Sequence, residues 1–326
     1  MIILLTQNCA GMSNDTLNAQ EVKRALTIIA GFKCMDGIVI CADSQETIGS
    51  SKRSVPKLQL HRGPFPDFQM EGLVNHDLAV VFAGAGDGPF IDKIAELAWQ
   101  PIRNASDIWE ASAAIESVIK ETYKEYGQIY QQGQCPSAEL IYGITMGRTS
   151  KLFYAYGPIV NEKDFVSAGI GYYLADFLAG RMYQQHLSTR QCVILAAYIL
   201  DQAKEHVEGC GGDSQIAVLR EEEPSGLVEY KLIEEVTKFL QFADRELGGL
   251  LMNSANFSAP PDNLGKEFSA TLEALSTFRD HHKGEVEKHR EWWREMPIML
   301  GIQVERDDLG IETSITMPSD SQTTED

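Results

Sequence analysis

A threonine, an aspartate and a lysine near the start of the chain have the side-chain types needed for hydrolysis by an activated hydroxyl. Thr27 and Asp43 lie in the segment Thr27–Gly49, TIIAGFKCMDGIVICADSQETIG, and Lys57 follows a short loop later. A threonine hydroxyl is a weak nucleophile at neutral pH. One way to activate it is to free the α-amino group of the same residue, so that the amine serves as the base. Thr27 would therefore have to become the first residue of a processed chain.

Lys57 and Asp43 supply the charges that such a hydroxyl needs. An ammonium group beside the Thr27 hydroxyl would lower its pKa through space, and the Asp43 carboxylate would hold that ammonium in place. Removal of either side chain should then cripple hydrolysis. Taken singly, Thr27 is typical of a β-strand and Asp43 of a turn, so the interpretation depends on the three residues together.

A β-hairpin is predicted to bring Thr27 and Asp43 to the same end of a sheet. The apolar runs Thr27–Cys34 and Gly37–Ala42 read as strands, and the Asp-Gly step between them is a strong hairpin signal. Asp43 then follows the strand that pairs with the one beginning at Thr27.

Three short motifs in this part of the chain resemble those of 20S proteasome subunits of α or β type. They are the GFKC-x-DGIVICADS run at Gly31–Ser44, the step Pro56-Lys57-Leu58, and the run VVFAGAGDG at Val80–Gly88. Each motif is weak alone, and their order and spacing carry the resemblance. It extends over roughly residues 22–220 and implies the fold of the N-terminal-nucleophile hydrolases.

The resemblance implies a threonine-type peptidase without a cofactor or a metal. Thr27, Asp43 and Lys57 match its catalytic residues, and Gly84 matches the glycine whose N–H binds the oxyanion. Phe82 matches a wall of the pocket that takes a substrate side chain. Residues 1–26 would be a propeptide, and the substrate would be a peptide or an unfolded protein. A homo-oligomer is implied, and an ATPase partner is possible.

Four positions depart from the pattern of the active subunits. Ile170 stands in Ser167-Ala168-Gly169-Ile170-Gly171 where those subunits have a serine. Val207 replaces an aspartate, and Cys210 replaces the serine of a Ser-Gly-Gly sequence. Leu26 replaces the glycine that usually precedes the threonine. The acyl shift that would cleave the chain requires strained backbone geometry at this position, and the β-carbon of a leucine restricts it. The alternative to a peptidase is therefore a non-catalytic proteasome-like scaffold or binding subunit.

Composition excludes some partners and leaves others open. The chain has 326 residues, 44% of them apolar, so it can bury a full core. Its net charge of −19 argues against nucleic acid and against an anionic membrane as partners, because both attract basic surfaces.

The cysteines and the first residues predict a cytoplasmic protein. The six cysteines show no CxxC pair and no regular spacing, so they are expected to be reduced thiols. The apolar run Met1–Thr6 is too short for a signal peptide, and no run approaches 18 apolar residues.

The remaining pattern up to Arg220 predicts an α+β, four-layer αββα sandwich of two antiparallel sheets. Residues 62–75 read as a loop, and a helix is possible at Leu17–Leu26. Further strands are predicted at Leu78–Ala83, Leu140–Met146, Lys151–Tyr156 and Ser214–Leu219. Helices are predicted in Pro89–Gln128, with a break near Pro101, and at Tyr172–Gln184 and Arg190–Val207.

Residues 221–317 are predicted to form a mainly helical extension, followed by a disordered tail at 318–326. Helices are expected at Ile233–Met252 and Lys266–Glu295 and a strand at Ile298–Val304. The stripe Phe268, Leu272, Leu275 and Phe278 should pack within the chain or, alternatively, against a neighbouring subunit. His281, His282 and His289 lack the spacing of a metal site.

Overall fold

The computed structural model describes residues 25–48, 51–63, 78–129, 136, 138–221, 225–254, 261–299, 303–306 and 312–316. Most of the predicted propeptide, most of the predicted loop at 62–75 and the predicted tail at 318–326 lie outside these residues. The division into a propeptide, a body, an extension and a tail stays a prediction.

The first sheet contains the hairpin that was predicted around Thr27 and Asp43. Its antiparallel strand order is β10-β1-β2-β11-β12. The strands are β1 (Ile28–Cys34), β2 (Gly37–Asp43), β10 (Phe165–Gly169), β11 (Ser214–Arg220) and β12 (Gly226–Leu227). Asp36 and Gly37 make the predicted turn, and Ile29 pairs with Ala42, so Asp43 lies next to the beginning of β1.

The second sheet packs against the first and has the antiparallel order β5-β6-β7-β8-β9. Its strands are β5 (Leu58–Gly63), β6 (Leu78–Gly86), β7 (Ala138–Met146), β8 (Thr149–Tyr156) and β9 (Ile159–Lys163). A separate hairpin of β3 (Gln45–Ile48) and β4 (Ser51–Ser54) connects the two sheets. It leads the chain from Asp43 back to Lys57.

Helices cover the outer face of each sheet. The second sheet buries one face against α1 (Gly88–Arg103) and α2 (Ile108–Ile129). The first sheet packs against α3 (Tyr172–Met182) and α4 (Thr189–His206), and a third core lies between the two sheets. Successive side chains of β1 and β2 point alternately into the core under α3 and α4 and into the core between the sheets. Both strands are therefore buried on both faces. The predicted four-layer αββα sandwich is confirmed.

Local capping signals set several helix ends. The Asp87 side chain accepts a hydrogen bond from the N–H of Phe90 at the start of α1. Ser188 and Gln191 form a reciprocal capping box at the start of α4. Each cap accepts or donates hydrogen bonds at the first turn and so sets the residue at which its helix begins.

The extension continues with α5 (Tyr230–Ser254), α6 (Pro261–Met299) and the hairpin of β13 (Gln303–Arg306) and β14 (Glu312–Thr316). Ile233 and Val236 anchor α5 in the core beneath the first sheet. The strand predicted to begin at Ile298 is partly wrong, because α6 continues to Met299 and the strand begins only at Gln303.

The apolar stripe predicted on α6 is only partly in contact with the rest of the chain. Phe278 stacks on Phe239 of α5, with ring centroids 3.6 Å apart, whereas Phe268, Leu272 and Leu275 are exposed. The inward face of α6 instead runs through Thr271, Ala274, Phe278 and His282. The intramolecular prediction is therefore right for Phe278 and wrong for the other three.

The histidines of α6 make ordinary contacts where they are described. The ring of His281 lies 3.4 Å from a carboxylate oxygen of Glu235. His282 stacks on Phe278, and burial lowers its pKa.

In the part of the chain that the structure describes, no helix is both long enough and apolar enough to cross a membrane.

Candidate active site

Thr27 lies immediately before β1 and is almost fully buried. Its hydroxyl oxygen faces the end of β2 because the hairpin register places Asp43 beside Ile28. Its carbonyl oxygen accepts a hydrogen bond from the N–H of Gly171, at 3.2 Å. Its own N–H is an intact amide and donates to the carbonyl of Ala25, at 2.9 Å. In this form the nitrogen of Thr27 is not a free amine.

Asp43 is completely buried and receives hydrogen bonds on both carboxylate oxygens. Oδ1 accepts from the hydroxyl of Thr27 at 2.5 Å and from the N–H of Ile28 at 3.1 Å. Oδ2 accepts from the N–H of Gly211 at 3.0 Å. A buried carboxylate needs such partners to keep its charge, since burial alone favours the neutral acid.

Lys57 joins Thr27 and Asp43, as its position in the sequence predicted. Its Nζ lies 2.5 Å from Oγ1 of Thr27 and 2.7 Å from Oδ1 of Asp43. A third bond, of 2.6 Å, goes to the backbone carbonyl of Gln45. The ammonium therefore has both polar contacts that were expected of it.

Gln215 positions the backbone of Lys57, a role that no sequence pattern indicated. Its side-chain oxygen accepts from the N–H of Lys57 at 2.9 Å and from that of Leu58 at 3.2 Å. Its side-chain nitrogen donates to the carbonyl of Val55, at 3.1 Å. Gln215 lies on β11 beside β2, so the first sheet itself holds the lysine opposite Thr27.

This arrangement has the chemical properties of an activated hydroxyl. An ammonium 2.5 Å from Oγ1 of Thr27 stabilises negative charge on that oxygen more than it stabilises the neutral hydroxyl. Asp43 balances the lysine charge in a site that excludes most water.

A cavity of about 1080 Å³ opens beside Thr27 and Lys57. Gly84 of β6 lines it, together with Ala85, Gly86 and the first turn of α1. A Cβ atom at Gly84 would collide with the side chain of Ile91, so only glycine fits between β6 and α1 here. The structure thus brings Gly84 to the same cavity as Thr27, while its role as oxyanion donor stays a prediction.

Phe82 is not at this cavity, which corrects the prediction that it forms a wall of the substrate pocket. It is 1% exposed and belongs to the core between the second sheet and the helices α1 and α2. Its ring lies 5.9 Å from that of Tyr142 and 6.1 Å from that of His61. The sequence placed it two residues from Gly84 and could not show that α1 covers this face of β6.

The positions that depart from the active pattern lie in the segments that follow β10 and α4. The N–H of Ile170 donates to the carbonyl of Ala25, at 2.9 Å, so its backbone contacts the residues before Thr27. Val207 caps α4 and packs against the core of the first sheet. Burial and the nearby Asp43 carboxylate raise the pKa of the Cys210 thiol to about 12, although the Lys57 ammonium opposes this.

Gly211 and Ser44 complete the surroundings of Asp43 and were not singled out as functional residues. In the sequence, Cys210-Gly211-Gly212 was compared only with a Ser-Gly-Gly sequence. In the structure, this segment contributes the backbone N–H of Gly211, which donates to Asp43. Ser44 accepts from the N–H of Asp213 at 2.6 Å. A Gly-Gly pair just after a helix was the available signal, because such a pair allows a close backbone crossing.

Solved structures of Anbu proteins have the same fold. Anbu, described as an ancestral β-subunit, from Yersinia bercovieri matches with a TM-score of 0.57 at 14% identity, covering 68% of this chain and 97% of that one. The Anbu (Gly-1) mutant from Hyphomicrobium sp. strain MC1 matches with 0.55 at 14% identity, over 68% and 96%. The helical assembly of the Anbu complex from Pseudomonas aeruginosa gives 0.53 at 16% identity, over 72% and 98%.

No protein-family model and no curated protein sequence matches the chain. The structural likeness nevertheless confirms the predicted αββα fold. At such low sequence identities the likeness shows only that the fold is shared, and a fold does not by itself assign an activity.

Proposed function

We propose that this chain is a threonine-type peptidase that works after release of residues 1–26. The observation that carries the proposal is the contact of one lysine with both partners: Nζ of Lys57 lies 2.5 Å from the Thr27 hydroxyl and 2.7 Å from Asp43. The likeness in fold to Anbu structures, one of them described as an ancestral β-subunit, supports the same interpretation.

In the proposed reaction, cleavage of the Leu26–Thr27 bond frees the amine of Thr27, which takes the proton of its own hydroxyl. The oxygen attacks the substrate carbonyl while Lys57 stabilises the developing charge. The N–H of Gly84 would bind the oxyanion from the cavity side. The proton then passes to the leaving amine, and water hydrolyses the acyl-enzyme to restore the free Thr27.

Release of residues 1–26 is the step on which this function depends. The amide of Thr27 still donates to the carbonyl of Ala25, so the intact chain has no amine base. Leu26, which follows Ala25, is 41% exposed, and its side chain lies against Gly209. We expect slow cleavage, because a β-carbon at this position restricts the strained conformation that an acyl shift needs.

Intact mass spectrometry during prolonged incubation tests this proposal, with fluorogenic peptide hydrolysis followed in the same samples. A product beginning at Thr27 should appear, and peptide hydrolysis should rise with it. Leu26→Gly should release the segment faster, and Thr27→Ala should retain it. If neither the native chain nor Leu26→Gly ever loses residues 1–26, the peptidase is the wrong function.

A second candidate is a non-catalytic proteasome-like subunit that acts as a scaffold or binding protein. It is favoured by Ile170, which has no hydroxyl to offer beside Thr27, and by the buried, neutral thiol of Cys210. The mass measurement separates the two, because a scaffold would not need the amine of Thr27.

We further propose that the chain forms a homo-oligomer, as the helical assembly of the Anbu complex from Pseudomonas aeruginosa does for a chain of the same fold. Phe268, Leu272 and Leu275 of α6 offer exposed apolar surface for such contacts. An ATPase partner and a peptide or unfolded-protein substrate remain parts of this proposal. Size-exclusion chromatography with light scattering measures the oligomer, and a monomer at micromolar concentration would contradict it.

A further inference from the structure

Lys204, near the end of α4, lies beneath the segment that hydrogen-bonds Asp43. Its side chain is half-buried, and Nζ donates to Oγ of Ser214 at 2.8 Å and to the carbonyl of Gly212 at 3.2 Å. An ammonium in such a place needs both acceptors, since a buried charge without partners is costly. Lys204 therefore ties α4 to the residues that precede and begin β11.

The tied segment passes directly over the end of β2. Gly211 donates its N–H to Oδ2 of Asp43, and its carbonyl accepts from the N–H of Gln45, both at 3.0 Å. Gly212 has a φ of +69°, in the region that favours glycine, and a Cβ there would collide with Ser44. Ser214 then pairs with Asp43 in the β2–β11 ladder.

The two oxygens of Asp43 are unequally bound. Oδ1 accepts from Thr27, Ile28 and Lys57, whereas the bond described for Oδ2 is the one from the N–H of Gly211. The bond from Gly211 sets the rotation of the carboxylate together with the three donors on Oδ1. The place of Gly211 depends in turn on the segment that Lys204 holds.

We propose that Lys204 is a positioning residue for Asp43, holding residues 211–214 so that the Gly211 N–H orients the carboxylate toward Thr27 and Lys57. The inference rests on the proposed peptidase function. It assigns a role in the site to a residue that neither touches Thr27 nor lines the cavity.

Charge acts in the same direction as geometry. Burial lowers the pKa of Lys204, and the carboxylates of Asp201, Asp213 and Asp43 oppose that effect. Among the described residues, Lys57, Lys204, Cys210 and Cys41 interact with Asp43. The Lys204 ammonium thus attracts the carboxylate that its bonds to Ser214 and Gly212 help to position.

The first test compares Lys204→Met with Lys238→Met in the processed enzyme. Lys238 lies on α5, is exposed and pairs with Glu234, so its loss removes the same charge away from the site. In Lys204→Met we expect kcat to fall about tenfold with KM nearly unchanged. Lys204→Arg keeps a charged donor for both acceptors and should recover most of the lost kcat. A native kcat in folded Lys204→Met would overturn the proposal.

The second test does not require activity. The intact chain is labelled with ¹³C-carbonyl cysteine and ¹⁵N-glycine, which selects the Gly211 amide because Cys210-Gly211 is the one Cys-Gly step in the sequence. The proton of this amide donates to Asp43, so it should shift upfield in Lys204→Met as the bond weakens and keep its native position in Lys238→Met. If Lys204→Met does not fold, Lys204→Gln, which keeps an amide donor without the charge, should show a smaller shift in the same direction.

An unchanged Gly211 amide resonance in a folded Lys204 variant would overturn the positioning role. If the native chain never hydrolyses peptides but this resonance still shifts, the peptidase function fails while the role of Lys204 toward Asp43 stands. The two failures are thereby distinguished.

Discussion

Two clusters near opposite ends of β1 contain the same three chemical groups. The Thr27 cluster joins a hydroxyl, a carboxylate and an ammonium in Thr27, Asp43 and Lys57. The Ser150 cluster joins the same groups in Ser150, Glu221 and Lys33, where Ser150 donates to Glu221 at 2.5 Å and Lys33 lies 3.2 Å from that carboxylate. Lys33 also donates to the Ser150 hydroxyl. Residue types and contacts alone do not distinguish the two.

Burial and access do distinguish them. The side chains of Asp43 and Lys57 are 0% and 11% exposed, compared with 21% for Glu221 and 27% for Lys33. Thr27 and Lys57 line the cavity of about 1080 Å³, which the Ser150 cluster does not reach. A substrate carbonyl thus has room beside Thr27, and the charges there act through a medium that screens them less.

The surroundings of the Thr27 cluster, as much as its three side chains, therefore set it apart from the Ser150 cluster. Ser150 has no free amine available as a base at any stage, whereas Thr27 gains one if the chain is cut before it. The Ser150 cluster is best understood as a link between β1, β8 and the segment after β11.

The largest expected difference concerns the two hydroxyls. Thr27→Ala should lower kcat for peptide hydrolysis by at least about 1000-fold, because it removes the nucleophile. Its cost to stability should be on the order of 1 kcal/mol. Ser150→Ala is the matched control and should hydrolyse fluorogenic peptides at nearly the native rate. Comparable rates of peptide hydrolysis in the two variants would show that Thr27 is not the nucleophile.

The two lysines should differ next most strongly. Lys57→Met removes the charge next to the attacking oxygen, and we expect kcat to fall by about 100-fold or more. Lys33→Met removes an equivalent charge far from the cavity and should leave kcat within about twofold. Steady-state kinetics on processed protein measures both. A large loss in Lys33→Met would mean that the Ser150 cluster takes part in catalysis.

The carboxylates should differ in their effect on the free energy of unfolding. Asp43→Asn leaves Lys57 without its charged partner in a buried site, and we expect a loss of about 3 kcal/mol. Glu221→Gln breaks a partly exposed pair and should cost at most about 1 kcal/mol. Urea titrations followed by circular dichroism give both values. Equal losses would show that the difference in burial has no energetic consequence.

The smallest effect is expected at Cys210, which lies beside the Thr27 cluster. Its pKa is raised from an ordinary value of 9.0 to about 12, so the thiol stays neutral throughout the range from pH 6 to 10. Iodoacetamide at pH 8 should therefore leave Cys210 unmodified in the folded chain, and Cys210→Ser should change kcat by less than about threefold. Rapid alkylation, read by peptide mass mapping, would contradict the neutral thiol.

Much of the fold followed from local pattern. The Asp36-Gly37 turn and the apolar runs on either side of it form the predicted hairpin. The predicted helix break comes after Pro101 rather than at it, because α1 contains this proline and continues to Arg103. The hairpin β3–β4 and the strand β5 were missed, because their residues are polar or partly exposed and show no clear alternation. Edge strands of this kind are recognised by their partners rather than by their own composition.

The sequence by itself determined that Thr27 and Asp43 share one end of a hairpin, since a two-residue turn leaves a single register for the flanking strands. It also indicated Lys57 and Gly84 through the spacing of short motifs. Only the tertiary structure decided that Phe82 faces the core rather than the cavity, and that Gln215, Gly211 and Lys204 surround the site. Those positions depend on which sheet face a helix covers and on contacts between residues more than 150 positions apart, and no local pattern encodes either.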